Sequence, residues 1–190
     1  MNYEQFGLGR EEALELLDRY ITNQNMIKHC LATEAVLRAL AIKLDENPDK
    51  WGLAGLLHDL DVETQPDLST HTSETVRVLE ELGIDPEIID AISMHNELAH
   101  GRKRSTKFHH ALASGETITG LITASALVRP DKKLDSVKPK SVRKRFKEKA
   151  FARGADREII KECEILGLEL NEFCELALQA MQNISDDLGL

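Results

Sequence analysis

The sequence predicts an all-α protein, and three observations carry that prediction. No stretch of any length alternates apolar and polar residues, the pattern of a half-buried strand. Aromatics make up only 4% of 190 residues, so the core must be built from Leu, Ile, Ala and Val, which suits helices better than sheet. Apolar residues also recur at helical spacing between usable caps. Gly9 to Ile21 puts Leu14, Leu17 and Ile21 on one stripe. Asn25 caps a long helix through Leu44, carrying Met26, Cys30, Ala32, Val36, Leu37 and Leu40. Asn47-Pro48 joins an N-cap to a proline at the first helical position and opens a helix that ends at His58-Asp59. Ser69 or Thr70 starts another, which reaches Leu82 and stops at Gly83. Asp85-Pro86 repeats the cap-plus-proline device before EIIDAISMHNE, and Asn96 to Thr106 follows as a polar loop around Gly101. Lys107 to Val128 reads as a long buried helix, with Gly115 and Gly120 permitting close helix approach and Pro130 ending it. Asp156 to Leu166 and Glu169 to Leu188 complete the series.

Composition narrows the function classes. The first residues lack the basic and apolar regions of a secretory signal, and no run approaches the ~18 apolar residues of a membrane span. Cys30, Cys163 and Cys174 show no CxxC spacing and read as reduced thiols, so the expected setting is cytoplasmic, with no membrane partner. Net charge is −9, yet Arg129 to Arg153 holds eleven Lys or Arg against three acids. That segment is either a phosphate or acidic-partner surface or a solvated helix face. Nucleic acid is disfavoured as a partner, because the segment is short and no aromatic platform accompanies it.

All seven histidines fall between residues 29 and 110. His29 sits early in the second helix, His58-Asp59 closes the third, His71 opens the fourth, and His95 continues the apolar stripe Ile88, Ile92. A carboxylate at the end of so apolar a stretch as GLAGLLHDLD is costly to bury unless it is paired or binds metal. Helical bundles build metal sites from side chains on facing helices. Neutral imidazoles with carboxylates suit Mn, Fe, Co, Ni or Zn as divalent ions. Adjacent helix residues point about 100° apart, so His58 and Asp59 can converge only near a loosened helix end. A carboxylate there can also bridge two metals. His100 lies in the polar loop within reach of a substrate, and His109-His110 read as structural.

The ordered set of His29, His58-Asp59 in GLLHDLD, His71 and His95 in AISMHNE resembles the HD-domain superfamily of metal-dependent phosphohydrolases. The likeness to its small bacterial HDIG-type hydrolases extends through ITGLITASALVRPDKKL to KSVRKRFKEKAFARG, roughly residues 25 to 155. The resemblance implies a compact multi-helix bundle with metal between helices, and His29, His58 and Asp59 as ligands. The family's last ligand is usually an aspartate in an AD pair. Gly115-Glu116 stands there instead, so Glu116 is the candidate, and its longer reach should shift the metal or make the helix sit back. His71 and His95 correspond in order to the histidines that hold a second metal in dinuclear members, although Met94-His95 replaces the paired histidine often found there. One or two ions are therefore expected. The chain reads as a single domain over 1–190, with an HD-type metal-binding core over 22–130. A basic segment and C-terminal helices over 131–190 pack on that core.

The implied reaction is hydrolysis of a phosphate ester, a small nucleotide or related metabolite. Metal lowers the pKa of water and polarises a phosphoryl oxygen, while a carboxylate handles the proton. Asp59 and Asp61 are the catalytic candidates, with Glu63 beside them, and Arg129, Lys132, Lys133 and Lys144 are the candidate substrate-binding cations. Two alternatives use the same fold: a diiron oxygenase on the same ligands, and a catalytically weakened binding or regulatory protein. Phe173, Leu176, Leu178 and Met181 either complete the bundle or form a homodimer contact.

Overall fold

Side-chain caps decide where this chain starts its helices. In the computed structural model, which describes residues 1–190, Asn47 accepts the N–H groups of Asp49 and Lys50, and Asp85 accepts that of Glu87. Each cap precedes a proline, where no N–H is needed. The elements are α1 Arg10–Tyr20, α2 Gln24–Lys43, α3 Pro48–Leu57, α4 Ser73–Glu81, α5 Pro86–His95, α6 Glu97–His100, α7 Lys107–Leu127, α8 Pro139–Lys147, α9 Arg157–Ile160, α10 Leu170–Gln182 and α11 Ser185–Leu188. Short 3-10 turns lie at Glu4–Phe6, Leu134–Ser136 and Lys161–Glu164, and there is no strand. The fold is all-α.

Departures from the sequence reading have local causes. The cap of α2 is Asn23, whose side chain accepts from the Asn25 N–H, while Glu63 holds the N–H groups of Thr22 and Asn23. Helix α4 begins at Ser73, because the chain before it turns to bring the Thr72, Glu74 and Thr75 N–H groups onto Asp61. The polar loop contains the single turn α6, and the basic stretch contains α8, which buries Val142 and Phe146. The last two expected helices are each interrupted, by 3-10 geometry after Ile160 and by a break after Gln182.

Helix α2 is central, packed against α3, α7 and α10, and α5 packs on α7. Two glycines set the spacing. A Cβ on Gly55 would lie 2.9 Å from the Thr33 carbonyl, so α3 rests on the backbone of α2. A Cβ on Gly115 would meet Leu37 Cδ2 at 2.5 Å, so α7 also approaches α2 closely. Gly120 has no such role, since the nearest atom to its Cβ would be that of Ala155 at 4.0 Å. Trp51 of α3 stacks on Phe108 of α7 with centroids 5.2 Å apart. Buried Glu34 on α2 is neutralised by Arg10 in a bidentate pair and by the Tyr3 hydroxyl, which ties the first residues to the bundle. Phe173, Leu178 and Met181 are buried in the same core as Leu37 and Leu53, so the C-terminal helices complete the bundle. No helix is long and apolar enough to cross a membrane.

Candidate metal centre

The apolar residues of α3 end at Leu57, and the backbone leaves the helix at His58. The His58 ring turns back so that Nδ1–H donates to the Gly55 carbonyl at 2.9 Å, which leaves Nε2 as a lone pair directed inward. Asp59 follows outside the helix, and its side chain faces the same interior. From α5, His95 repeats the device, with Nδ1–H donating to the Ile92 carbonyl at 2.8 Å. His29, early in α2, is fixed from across the bundle. The Thr119 hydroxyl donates to the Glu116 carbonyl, so its oxygen accepts from His29 Nδ1–H at 2.9 Å.

Four imidazoles thus surround one carboxylate. Asp59 Oδ2 lies 3.6 Å from His29 Nε2 and 3.5 Å from His58 Nε2, while Oδ1 lies 3.1 Å from His71 Nε2 and 3.5 Å from His95 Nε2. Two groups with metal-ligand spacing result, His29–His58–Asp59 and Asp59–His71–His95. The first contains a direct test of whether a cation fits. His29 Nε2 and His58 Nε2 are 3.2 Å apart, and each has its only neutral-state proton committed at Nδ1. Two lone pairs that close repel unless a cation lies between them. A proton is a poor answer, since burial above all drives the His58 pKa down to about 3. A divalent metal suits the donors, and the neighbouring histidines hold the buried Asp59 carboxyl ionised against the cost of desolvation.

His71 is held differently. Burial disfavours its charged form, but Asp59 on one side and Asp61 on the other raise its pKa to about 9. Its Nδ1 lies 2.8 Å from Asp61 Oδ1, an ion-pair contact without good hydrogen-bond alignment, so this buried nitrogen has no hydrogen-bond partner. The turn that delivers His71 is strained: Thr72 adopts φ +83°, a left-handed conformation rare for a β-branched residue. Asp61 holds the Thr72 N–H, His100 Nε2 lies 2.7 Å from the Thr72 hydroxyl, and Asn96 donates to the carbonyls of Leu68 and His71. Arg104 donates to the carbonyls at the end of α5, Met94 and His95, and is clamped by Glu162, which also binds His110.

The structure gathers His29, His58, Asp59, His71 and His95 into this cluster and separates other candidates from it. Asp61 is fully buried behind His71, its oxygens occupied by three N–H groups and by the His71 ring rather than directed at the space between the two donor groups. Glu63 faces outward to cap α2. Arg129, Lys132 and Lys133 lie beyond the end of α7, which itself runs about 16 Å of helix rise past Glu116. Lys144 is on α8 in a separate basic groove with Lys140, Arg143 and Lys147. No hydrogen bond or ion pair joins the side chains of these four cations to the cluster. Glu116 stands at its edge, with Oε2 3.9 Å from His29 Nε2 and Oε1 accepting from the Thr117 hydroxyl. Burial pushes the Glu116 carboxyl above the usual range. Its helix does not sit back, because Gly115 lets α7 close onto Leu37. His109 binds Asp90 away from the cluster.

Sequence reading missed Thr119, Asn96, Arg104 and Lys28. Only Thr119 had a local signal, three residues after Glu116 on one helix face. A cleft of about 700 Å³ opens beside His29 and Thr119, bordered by Lys28 and by apolar residues of α2, α7 and the C-terminal turn. A family model described as HD domain matches residues 26–157, which includes every residue of the cluster and runs past the boundary drawn at 130. Comparisons with curated proteins and with solved structures give no match.

Proposed function

The chain belongs to the HD-domain family, and from that premise we propose that it is a metal-dependent hydrolase of phosphate esters with two ions sharing Asp59. The observation that carries this reading is the division of the Asp59 oxygens, Oδ2 toward His29 and His58 and Oδ1 toward His71 and His95. One ion would be held by His29, His58 and Asp59, joined by Glu116, and the other by Asp59, His71 and His95. Such ions, when bound, lower the pKa of water and polarise a phosphoryl oxygen.

The rest is work for the chain's own residues. The Gly55 and Ile92 carbonyls and the Thr119 hydroxyl keep protons on Nδ1 of His58, His95 and His29, which presents their Nε2 lone pairs without reorganisation. Asp61 holds His71 by charge, 2.8 Å from its Nδ1, and is a positioning residue. Asp59 remains the catalytic carboxylate, since it alone faces both groups. Lys28 lines the cleft that His29 also borders and is a cation available there for phosphoryl charge.

Phosphate release from a panel of phosphomonoesters, nucleotides included, tests the reading with protein loaded with Mn²⁺, Co²⁺ or Zn²⁺. Release by wild type that disappears in His58→Ala supports it. A metal-loaded protein inactive on every ester overturns it, and oxygen consumption by the iron-loaded form would favour an oxygenase instead.

A further inference from the structure

Resting on the phosphohydrolase reading, we propose that the cleft beside His29 takes an aliphatic group, so that the substrate is the phosphate of an apolar aliphatic alcohol rather than a nucleotide. The cleft of about 700 Å³ adjoins the metal cluster at one end through His29 and the Thr119 that orients it. Lys28 is the cleft's only Lys or Arg, carries no acidic side-chain partner, and sets its Nζ beside Gly189 of the C-terminal turn. No Asp or Glu borders the cleft, although the chain carries a net charge of −9. At the His29 end the nearest carboxylates are Asp59 and Glu116 of the cluster itself, 3.6 and 3.9 Å from His29 Nε2, so a phosphate there would be received by the bound metal.

Beyond His29 and Thr119 the walls are mainly apolar, with Asn25, Thr123 and Lys28 as their polar side chains. Met26 of α2, Ala124 and Leu127 of α7, and Leu188 and Leu190 of the C-terminal turn enclose the remaining space. From Thr119 to Leu127 the α7 wall runs about 12 Å. Leu127 is 49% exposed, an apolar side chain that a ligand would cover. A nucleobase asks for a flat aromatic partner and edge hydrogen bonds. No Phe, Tyr or Trp borders the cleft. An alkyl chain asks only for apolar area, and most of the exposed wall is apolar, supplied by Met26, Ala124, Leu127, Leu188 and Leu190.

The test uses the Mn²⁺-loaded protein with n-butyl, n-hexyl and n-octyl phosphate, compared with AMP and p-nitrophenyl phosphate. Calorimetry with n-octylphosphonate reads binding without turnover. KM should fall about threefold per added methylene, and Leu127→Glu should raise KM for octyl phosphate about tenfold more than for butyl phosphate. Lys28→Gln should raise KM for all the alkyl esters alike. Turnover of p-nitrophenyl phosphate with no chain-length dependence, or preference for AMP over octyl phosphate, overturns the aliphatic assignment and leaves the hydrolase reading intact. Hydrolysis of no ester overturns the hydrolase reading, and calorimetry then decides the cleft. Octylphosphonate bound by wild type and weakened by Leu127→Glu supports an aliphatic site, and absence of binding overturns it.

Discussion

Gly55→Ala is a sharp test of how the bundle holds its histidines. The added methyl carbon would sit 2.9 Å from the carbonyl carbon and oxygen of Thr33 and 3.0 Å from the Glu34 nitrogen. These are backbone atoms of α2, so the contact is relieved only by parting α2 from α3. Overpacking of this kind costs about 1–3 kcal/mol, and a rigid backbone neighbour places it near the upper end. Ala is favoured over Gly inside a helix by about 1 kcal/mol, which offsets part of it. A net loss of about 2 kcal/mol corresponds to a fall in Tm of about 4–8 °C for a chain this long. The same displacement separates His29 Nε2 from His58 Nε2, now 3.2 Å apart, so Zn²⁺ affinity should fall as well. Thermal unfolding of metal-free protein by circular dichroism, followed by Zn²⁺ titration, measures both effects. Gly120→Ala is the matched control: its Cβ meets nothing nearer than 4.0 Å, and it should gain about 0.5–1 kcal/mol. If Gly55→Ala stabilises as Gly120→Ala does, the close α2–α3 contact is refuted.

Asp61→Ala should destabilise the metal-free protein by about 2–3 kcal/mol, because three N–H groups at the start of α4 lose their acceptor, and urea unfolding will show whether they do. Alanine at Arg129, Lys132, Lys133 and Lys144 together should leave kcat/KM on any ester within about twofold at 0.15 M salt, since none of them makes a contact with the cluster and exposed charges are screened. A larger loss would place the basic segment back at the site. Acid should unfold the metal-free protein below about pH 4. Burial opposes the charge on Asp49, Asp90 and Glu97, but Arg38, then Arg102 with His109, and then Lys103 with the Arg104 N–H outweigh it and lower all three carboxyls. Their stabilisation is complete above the unfolded-state value and vanishes as pH falls through the lower folded values. Asp49→Asn combined with Glu97→Gln should therefore flatten the acid limb of a stability–pH profile, and an unchanged limb would remove these groups from the account.

Fold class was legible because helix periodicity and caps are local. Asn47, Asp85 and the prolines after them opened helices where their side chains reach their own backbone. Boundaries failed where a distant residue decided them. Asp61 delays α4, and Glu63 draws the start of α2 back to Asn23. The same division runs through the site. Histidines at helix ends were visible, and the backbone contacts that fix His58 and His95 span only three residues. His29 depends on Thr119, ninety positions away, and no spacing rule reports that pairing. The burial of Asp61 was hidden for a further reason. A carboxylate after an apolar helix reads equally as solvent-facing or as an acceptor for a turn folded back on it. The basic segment misled because charge is readable in one dimension and direction is not: α8 turns its apolar side to the core and its lysines to solvent.

Metal content after reconstitution and desalting tests the central claim most directly, measured by elemental analysis on wild type, His71→Ala and Asp59→Ala, each verified as helical by circular dichroism. Because Asp59 belongs to both donor groups and His71 to one, wild type should retain about two ions per chain, His71→Ala about one and Asp59→Ala almost none. Wild type without metal, or Asp59→Ala with the wild-type content, would contradict the shared centre.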